Sequence, residues 1–207
     1  MAKIDLLCHS SIKISGNKII YIDPYNIKEK TNDADYIFCT HSHYDHFSTE
    51  DIKKVKKEGT KILIVKDAKE EVLKLVSEDN LLVVEPDNNY KIDEINFKTT
   101  YAYNINKNFH PKENKWVGYL INFEGINYYI AGDTDNIPEI QNIKCDIAFI
   151  PVGGTYTMDY KEAANLANMI DAKVVIPTHY GLIVGDIKDG ERFKGLVEGK
   201  EVKVLIQ

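Results

Sequence analysis

Apolar residues in this chain fall in short runs, alternating or continuous, broken by turn residues, so the pattern predicts more strands than helices. Lys3 to Leu7, Ser11 to Ile14 and Lys18 to Ile22 are β-branched, and the turn pair Gly16-Asn17 separates the last two, so the chain opens as a hairpin-rich sheet. Tyr36 to Thr40 predicts another strand. Ser48, with Asp51 three positions on, marks a helix start, and a lysine-studded helix is expected to run from there to Gly59. Lys61 to Val65 reads as a buried strand, Asp67 to Val76 as an amphipathic helix with Val72, Leu75 and Val76 inward, and Leu81 to Val84 as a strand. Further on, Ile95 to Tyr103, Trp116 to Phe123 and Asn127 to Ala131 are strand-like, the last two joined through Glu124-Gly125 as a hairpin, and Asn104 to Lys115 is a polar loop. Ile147 to Pro151 and Lys173 to Ile176 are strands around a helix that starts at Asp159 with Glu162 as a capping box and ends near Ile170; a last helix covers Gly190 to Val197. Strands alternating with helices predict an α/β fold of two sheets with helices outside them. No Pro/Gly/Ser-rich linker divides the chain, so one domain over residues 1–207 is expected.

Composition fits this picture. Of the 207 residues, 43% are hydrophobic and 28% charged, enough apolar surface for a compact fold. No apolar run approaches the roughly 18–20 residues that span a bilayer, and Asp5 and His9 interrupt the start where a secretory signal would be apolar. Cys8, Cys39 and Cys145 form no CxxC pair and read as small buried apolar residues of a reduced, cytoplasmic protein. A net charge of −6 disfavours a phosphate backbone as partner, and acidic neighbours make the run Lys53, Lys54, Lys56, Lys57 a solvated face.

The chemistry is concentrated in one place. Directly after the strand Tyr36 to Thr40 comes His41-Ser42-His43-Tyr44-Asp45-His46, three imidazoles and a carboxylate within six residues. In an extended segment residues two apart point the same way, so His41 and His43 can converge on one cation while the following turn redirects Asp45 and His46 to a second. Imidazole mixed with carboxylate favours zinc, with iron or manganese behind it. Other donors lie at strand ends: Asp23, Asp133 in Ala131-Gly132-Asp133-Thr134, and His179 in Pro177-Thr178-His179-Tyr180-Gly181. His9 and His110 complete the histidines. Tyr156 and Tyr180 are candidate hydrogen-bond donors to substrate, whereas Asn104 and Lys107 read as solvated loop residues.

These motifs resemble the metallo-β-lactamase-fold hydrolase superfamily, across nearly the whole chain. Cys8-His9-Ser10, Ile22-Asp23-Pro24 and the Asp133 turn are similar to its ascorbate-6-phosphate-lactonase type. The resemblance implies a four-layer αββα sandwich with two mixed sheets and a dinuclear site. It implies one ion on His41, His43 and a mid-chain histidine, the other on Asp45, His46 and His179, and Asp133 bridging. His110, 23 positions before Asp133, is the mid-chain candidate and His9 its rival. The resemblance otherwise makes His9, with Tyr156, a substrate contact and Asp23 the residue orienting a ligand imidazole.

Two such ions would hold a bridging hydroxide at neutral pH, with Asp45 and Asp133 as catalytic carboxylates beside it, for attack on a small ester, lactone or phosphoester. GxSxG and P-loop patterns are absent from the sequence. The di-iron relatives that reduce oxygen carry glutamate where this chain has His43, and the nuclease relatives carry added domains, so a small-molecule substrate, anionic ones included, is expected. A metal-dependent metabolite-binding module without turnover and a single-strand nuclease are the alternatives.

Overall fold

The structure is a computed structural model and describes residues 2–206. The chain divides into two compact units, Met1–Glu85 and Pro86–Gln207, each built on its own sheet.

In the first unit the elements are β1 (Lys3–Cys8), β2 (Ser11–Ser15), β3 (Ile19–Ile22), β4 (Ala34–Phe38), α1 (Thr49–Val55), β5 (Lys56–Val65), α2 (Lys69–Val72) and β6 (Leu81–Val84). The six strands lie in chain order in one mixed sheet. β1–β2 and β2–β3 are antiparallel hairpins, and β3 through β6 run parallel. Parallel neighbours need crossovers: α1 lies in the one from β4 to β5 and α2 in the one from β5 to β6, while a loop carries the chain from β3 to β4. Ile12, Ile14, Ile20, Ile22, Ile37, Phe38 and Ile62 to Ile64 form its core.

The second unit holds β7 (Asn89–Ile92), β8 (Ile95–Tyr101), β9 (Val117–Phe123), β10 (Ile126–Ile130), β11 (Ile147–Pro151), α3 (Tyr160–Met169), β12 (Val174–Thr178), α4 (Asp189–Lys194) and β13 (Glu201–Val202). Its sheet runs β13-β12-β11-β10-β9-β8-β7, antiparallel from β7 to β10 and parallel from β10 to β13. The β9–β10 hairpin turns through Glu124 (φ 51°) and Gly125 (φ 76°), the paired positive φ values of the turn that matches strand twist. α3 packs on β11 and on α4, and buries Ala163, Leu166 and Ala167 beside Ile150, Val175 and Phe193. Its capping box is present: Asp159 accepts from the Lys161 and Glu162 amides at 2.8 Å, and the Asp159 amide donates to Glu162 at 3.0 Å.

Two mixed sheets flanked by helices give the expected α/β class. Four local expectations need correction. The helix after Ser48 stops at Val55 rather than Gly59, because Lys56–Val65 is a ten-residue strand whose first pairing partner is Ala34. Asp67 to Val76 is not a continuous helix: a 3-10 turn and one α-turn end at Val72, which is buried, while Leu75 and Val76 stay half-buried. The final helix is shorter, Asp189–Lys194, where Gly195 follows. The strand expected to reach Tyr103 ends at Tyr101. The edge strands β7 and β13 were not expected: β7 alternates polar and apolar residues over only four positions, and β13 has two. Among the described residues no helix is long and apolar enough to cross a membrane.

Candidate metal centre

In the first unit the donor residues gather where parallel strands end and where hairpins turn, the part of an α/β sheet where ligand sites form. His9 sits in the β1–β2 turn at φ 52°, and Asp23 follows β3 at φ 46°. Neither residue is glycine, so both hold backbone conformations of appreciable cost. After β4 the chain coils tightly: the His46 and Phe47 amides both donate to the His43 carbonyl, at 3.0 and 2.8 Å. This turn, rather than an extended alternation, brings the imidazoles together. The His41 ring centroid lies 4.7 Å from that of His43 and 4.1 Å from that of His46. Asp45 Oδ2 lies 3.5 Å from His9 Nε2 and 3.6 Å from His46 Nε2.

The rings are oriented from behind. Asp23 accepts from the Thr40 amide and hydroxyl, both at 2.8 Å, and lies 2.7 Å from His46 Nδ1. Burial pushes the Asp23 carboxyl up from its ordinary value, while His46 and the Thr40 bonds pull it back. The Thr40 hydroxyl, spending its proton on Asp23, accepts from His41 Nδ1 at 3.0 Å. The proton is thereby placed on Nδ1 of His41 and of His46, with the Nε2 lone pair on the opposite edge.

The second unit repeats the design. Asp133 follows β10 through Gly132, whose φ of 67° lets the strand break sharply. His179 follows β12 at φ 58°. His110 is buried, its ring 5.4 Å from that of Trp116. Asp133 Oδ2 lies 3.2 Å from His110 Nε2 and 3.0 Å from His179 Nε2. Asn104 Oδ1 accepts from the His110 amide at 3.0 Å and from His110 Nδ1 at 3.1 Å. His179 depends on close backbone packing, since a Cβ on Gly153 would sit 2.1 Å from the His179 carbonyl oxygen.

Thus His9, His41, Asp45, His46 and Asp23 are buried together in the first unit with His43 half-buried beside them, and His110, Asp133 and His179 are buried together in the second. Tyr156 is half-buried; its ring stands edge-on to Phe109 at 4.8 Å. Tyr180 is not poised as a donor to substrate: it is buried, its hydroxyl donates to the Ile206 carbonyl, and burial pushes its pKa up to about 12. Burial likewise raises the thiols of Cys39 and Cys145, the latter to about 12, which removes both as nucleophiles. Cys8 is half-buried rather than buried.

Two positioning residues escaped the sequence reading. Thr40 had a signal, a hydroxyl residue at the strand end directly before the first histidine. Asn104 reads as a solvated loop residue but is buried on His110; its only signal is its place where the strand gives way to the loop. Lys107 is half-buried and paired with Asp135 at 2.5 Å, not solvated.

The fold and these paired histidine–carboxylate sets are those of a metallohydrolase class, and residues 3–179 match the family described as the beta-lactamase superfamily domain. The chain belongs to that family. It is similar, at 30% identity over all of this chain and 96% of the relative, to a Pyrococcus furiosus protein named as a UPF0173 metal-dependent hydrolase. A Thermococcus onnurineus protein of the same name is 29% identical over the full chain and 96% of its own length. Among solved structures, a candidate metal-dependent hydrolase from Parabacteroides distasonis superposes with a TM-score of 0.83 at 30% identity, covering all of this chain and 94% of the other.

Proposed function

We propose that the protein is a metal-dependent hydrolase of the lactonase-like branch of its superfamily, acting as a single domain in the cytoplasm on a small ester, lactone or phosphoester. His41, His43 and His110 hold one divalent ion and Asp45, His46 and His179 the other, with Asp133 shared; zinc suits this donor set best.

The observation carrying this reading is the orientation of the imidazoles. His46 and His110 each spend their Nδ1 proton on an acceptor, Asp23 or Asn104, so Nε2 presents a lone pair. Those Nε2 atoms face carboxylate oxygens, Asp45 Oδ2 at 3.6 Å and Asp133 Oδ2 at 3.2 Å. Acceptor opposite acceptor in a buried setting needs a positive charge between them, either a metal ion or an added imidazole proton, and the gathering of several such rings on few carboxylates favours the metal ion. The residues therefore fit a divalent metal, and relatives at this similarity carry metal-dependent names. When bound, a divalent pair supplies Lewis acidity and a water acidic enough to ionise near neutral pH.

The chain's own groups divide the remaining work. Asp45 Oδ2, within 3.6 Å of both His9 and His46, can take a proton from the attacking water and return it to the departing oxygen. His9 Nε2 beside it contacts the substrate, and Tyr156 is the matching contact in the second unit. Asp23 and Thr40 keep the imidazoles in their metal-binding tautomer. No serine or cysteine nucleophile is needed.

The test is a screen of zinc-loaded protein against carboxylic esters, phosphorylated lactones, thioesters and bis-phosphate esters. Turnover of at least one class, abolished in His43→Ala, is expected; equal activity in His43→Ala would overturn the assignment, and tight binding without turnover would favour the metabolite-binding alternative.

A further inference from the structure

The loop between Asn104 and His110 has an exposed tip and buried ends. Ile105 and Phe109 are 54% and 46% exposed, while Asn104 and His110 are 7% and 1% exposed. A histidine on such a loop would wander unless the loop were closed. It is closed at its base: the Asn104 amide donates to the His110 carbonyl at 2.8 Å, and Asn104 Oδ1 takes the His110 amide and Nδ1 protons. The other end of the Asn104 side chain is equally fixed, Nδ2 donating to the Tyr156 carbonyl at 3.0 Å and to Asp135 Oδ1 at 3.2 Å. Every donor and acceptor of this amide is thus committed, and the flipped orientation would set Nδ2 against the His110 amide proton.

Asp135 is where the loop is anchored to the rest of the second unit. Its carboxylate accepts from Asn104 Nδ2, from the Ile105 amide at 2.9 Å and from Lys107 Nζ at 2.5 Å, and its own amide donates to the Tyr103 carbonyl at 2.9 Å. Asp135 belongs to the turn that carries Asp133, so one turn presents the carboxylate facing His110 Nε2 and also anchors the loop bearing that histidine.

We infer that Asp135 is a positioning residue for the metal centre: acting through Asn104, it fixes the place and tautomer of His110, so that metal affinity depends on a carboxylate that bonds to Asn104, Ile105 and Lys107 rather than to His110. This rests on His110 being a ligand, as proposed above. Removing Asp135 frees the Asn104 amide to turn and loosens the loop. Asn104→Asp keeps the acceptor for His110 but sets two carboxylates against each other at the 3.2 Å contact. The exchange Asn104→Asp with Asp135→Asn restores one donor and one acceptor at that contact.

The experiment measures zinc affinity by chelator competition, and the His110 Nδ1–H signal of metal-free protein by 15N NMR, in wild type, Asp135→Ala, Asn104→Asp, the exchange double variant and His110→Ala. Asn104→Asp is expected to weaken one zinc equivalent about 10- to 100-fold, typical of an outer hydrogen-bond partner of a ligand, Asp135→Ala by a smaller factor, and both to broaden or shift the Nδ1–H signal. The double variant is expected to recover part of the affinity lost in Asn104→Asp, since the exchange restores the bond between positions 104 and 135 but leaves a carboxylate facing the Tyr156 carbonyl. Should Asp135→Ala fail to fold, the double variant still decides, since losses that merely add overturn the inference. Wild-type affinity and an unshifted signal in Asp135→Ala also overturn it. Should His110→Ala bind both equivalents unchanged, the ligand assignment itself fails, a result separate from the failure of the Asp135 variants alone.

Discussion

Two atoms at Thr40 decide much about His41 and His46: one hydroxyl gives its proton to Asp23 and accepts from His41 Nδ1. Thr40→Val removes both bonds while keeping the shape, and its zinc affinity should fall about 10- to 100-fold in chelator competition. Unchanged affinity would show that the imidazoles hold their tautomers without the hydroxyl. Gly153 is a second such position, because a Cβ there would meet the His179 carbonyl at 2.1 Å and Val184 Cγ1 at 2.8 Å. The backbone at His179 must move to admit Gly153→Ala, so denaturant unfolding of the metal-free variant should show a loss of about 1–3 kcal/mol. A variant as stable as wild type would mean that the loop shifts freely. Thr40 and Gly153 also show why single residues are hard to read from a sequence: a strand-end threonine and a loop glycine are common, and only their neighbours in space give them a role.

Among the elements, α1 stabilises the segment that follows Asp23. The Asp51 side chain on α1 accepts from the Asn26 and Ile27 amides at 2.9 and 3.1 Å and from Lys54 at 2.7 Å. Burial pushes this carboxyl up, but the Lys54, Ser48 and Asn26 hydrogen bonds outweigh it and hold it below its ordinary value. A lowered folded-state value means that Asp51 contributes stability fully above the unfolded-state value of about 4 and loses it as pH falls through the folded one. Denaturant midpoints between pH 5 and pH 2 should therefore fall more steeply for wild type than for Asp51→Asn; parallel curves would contradict this. At α3 the cap is the expected determinant, and Asp159→Ala should cost about 1 kcal/mol in the same measurement, against no change if the helix is held by packing alone. The α3 cap was legible because its signal lies within four residues, Asp159 to Glu162. The end of α1 was not: Lys56 and Lys57 favour a helix locally, and the ladder linking Ala34 to Lys56 and Tyr36 to Lys61, more than 20 positions away in sequence, overrides them.

Across the whole molecule, apolar periodicity made the two sheets legible, since buried parallel strands such as Ile62 to Val65 and Ile147 to Pro151 read as continuous apolar runs. The division into units at Glu85 and Pro86 was not, because no change of composition marks it. Of the candidate site, the His41 to His46 cluster declares itself, being local, whereas Asn104, Thr40 and Asp135 act through contacts spaced by as many as 52 positions. The central claim is that seven polar side chains exist to hold divalent metal: His41, His43, Asp45, His46, His110, Asp133 and His179. The most direct measurement is metal content by elemental analysis of protein purified without added metal and again after reloading with zinc. Close to two equivalents per chain after reloading, falling to one or fewer in His43→Ala, is expected. Less than one equivalent of any transition metal in the reloaded wild-type protein would contradict the claim outright.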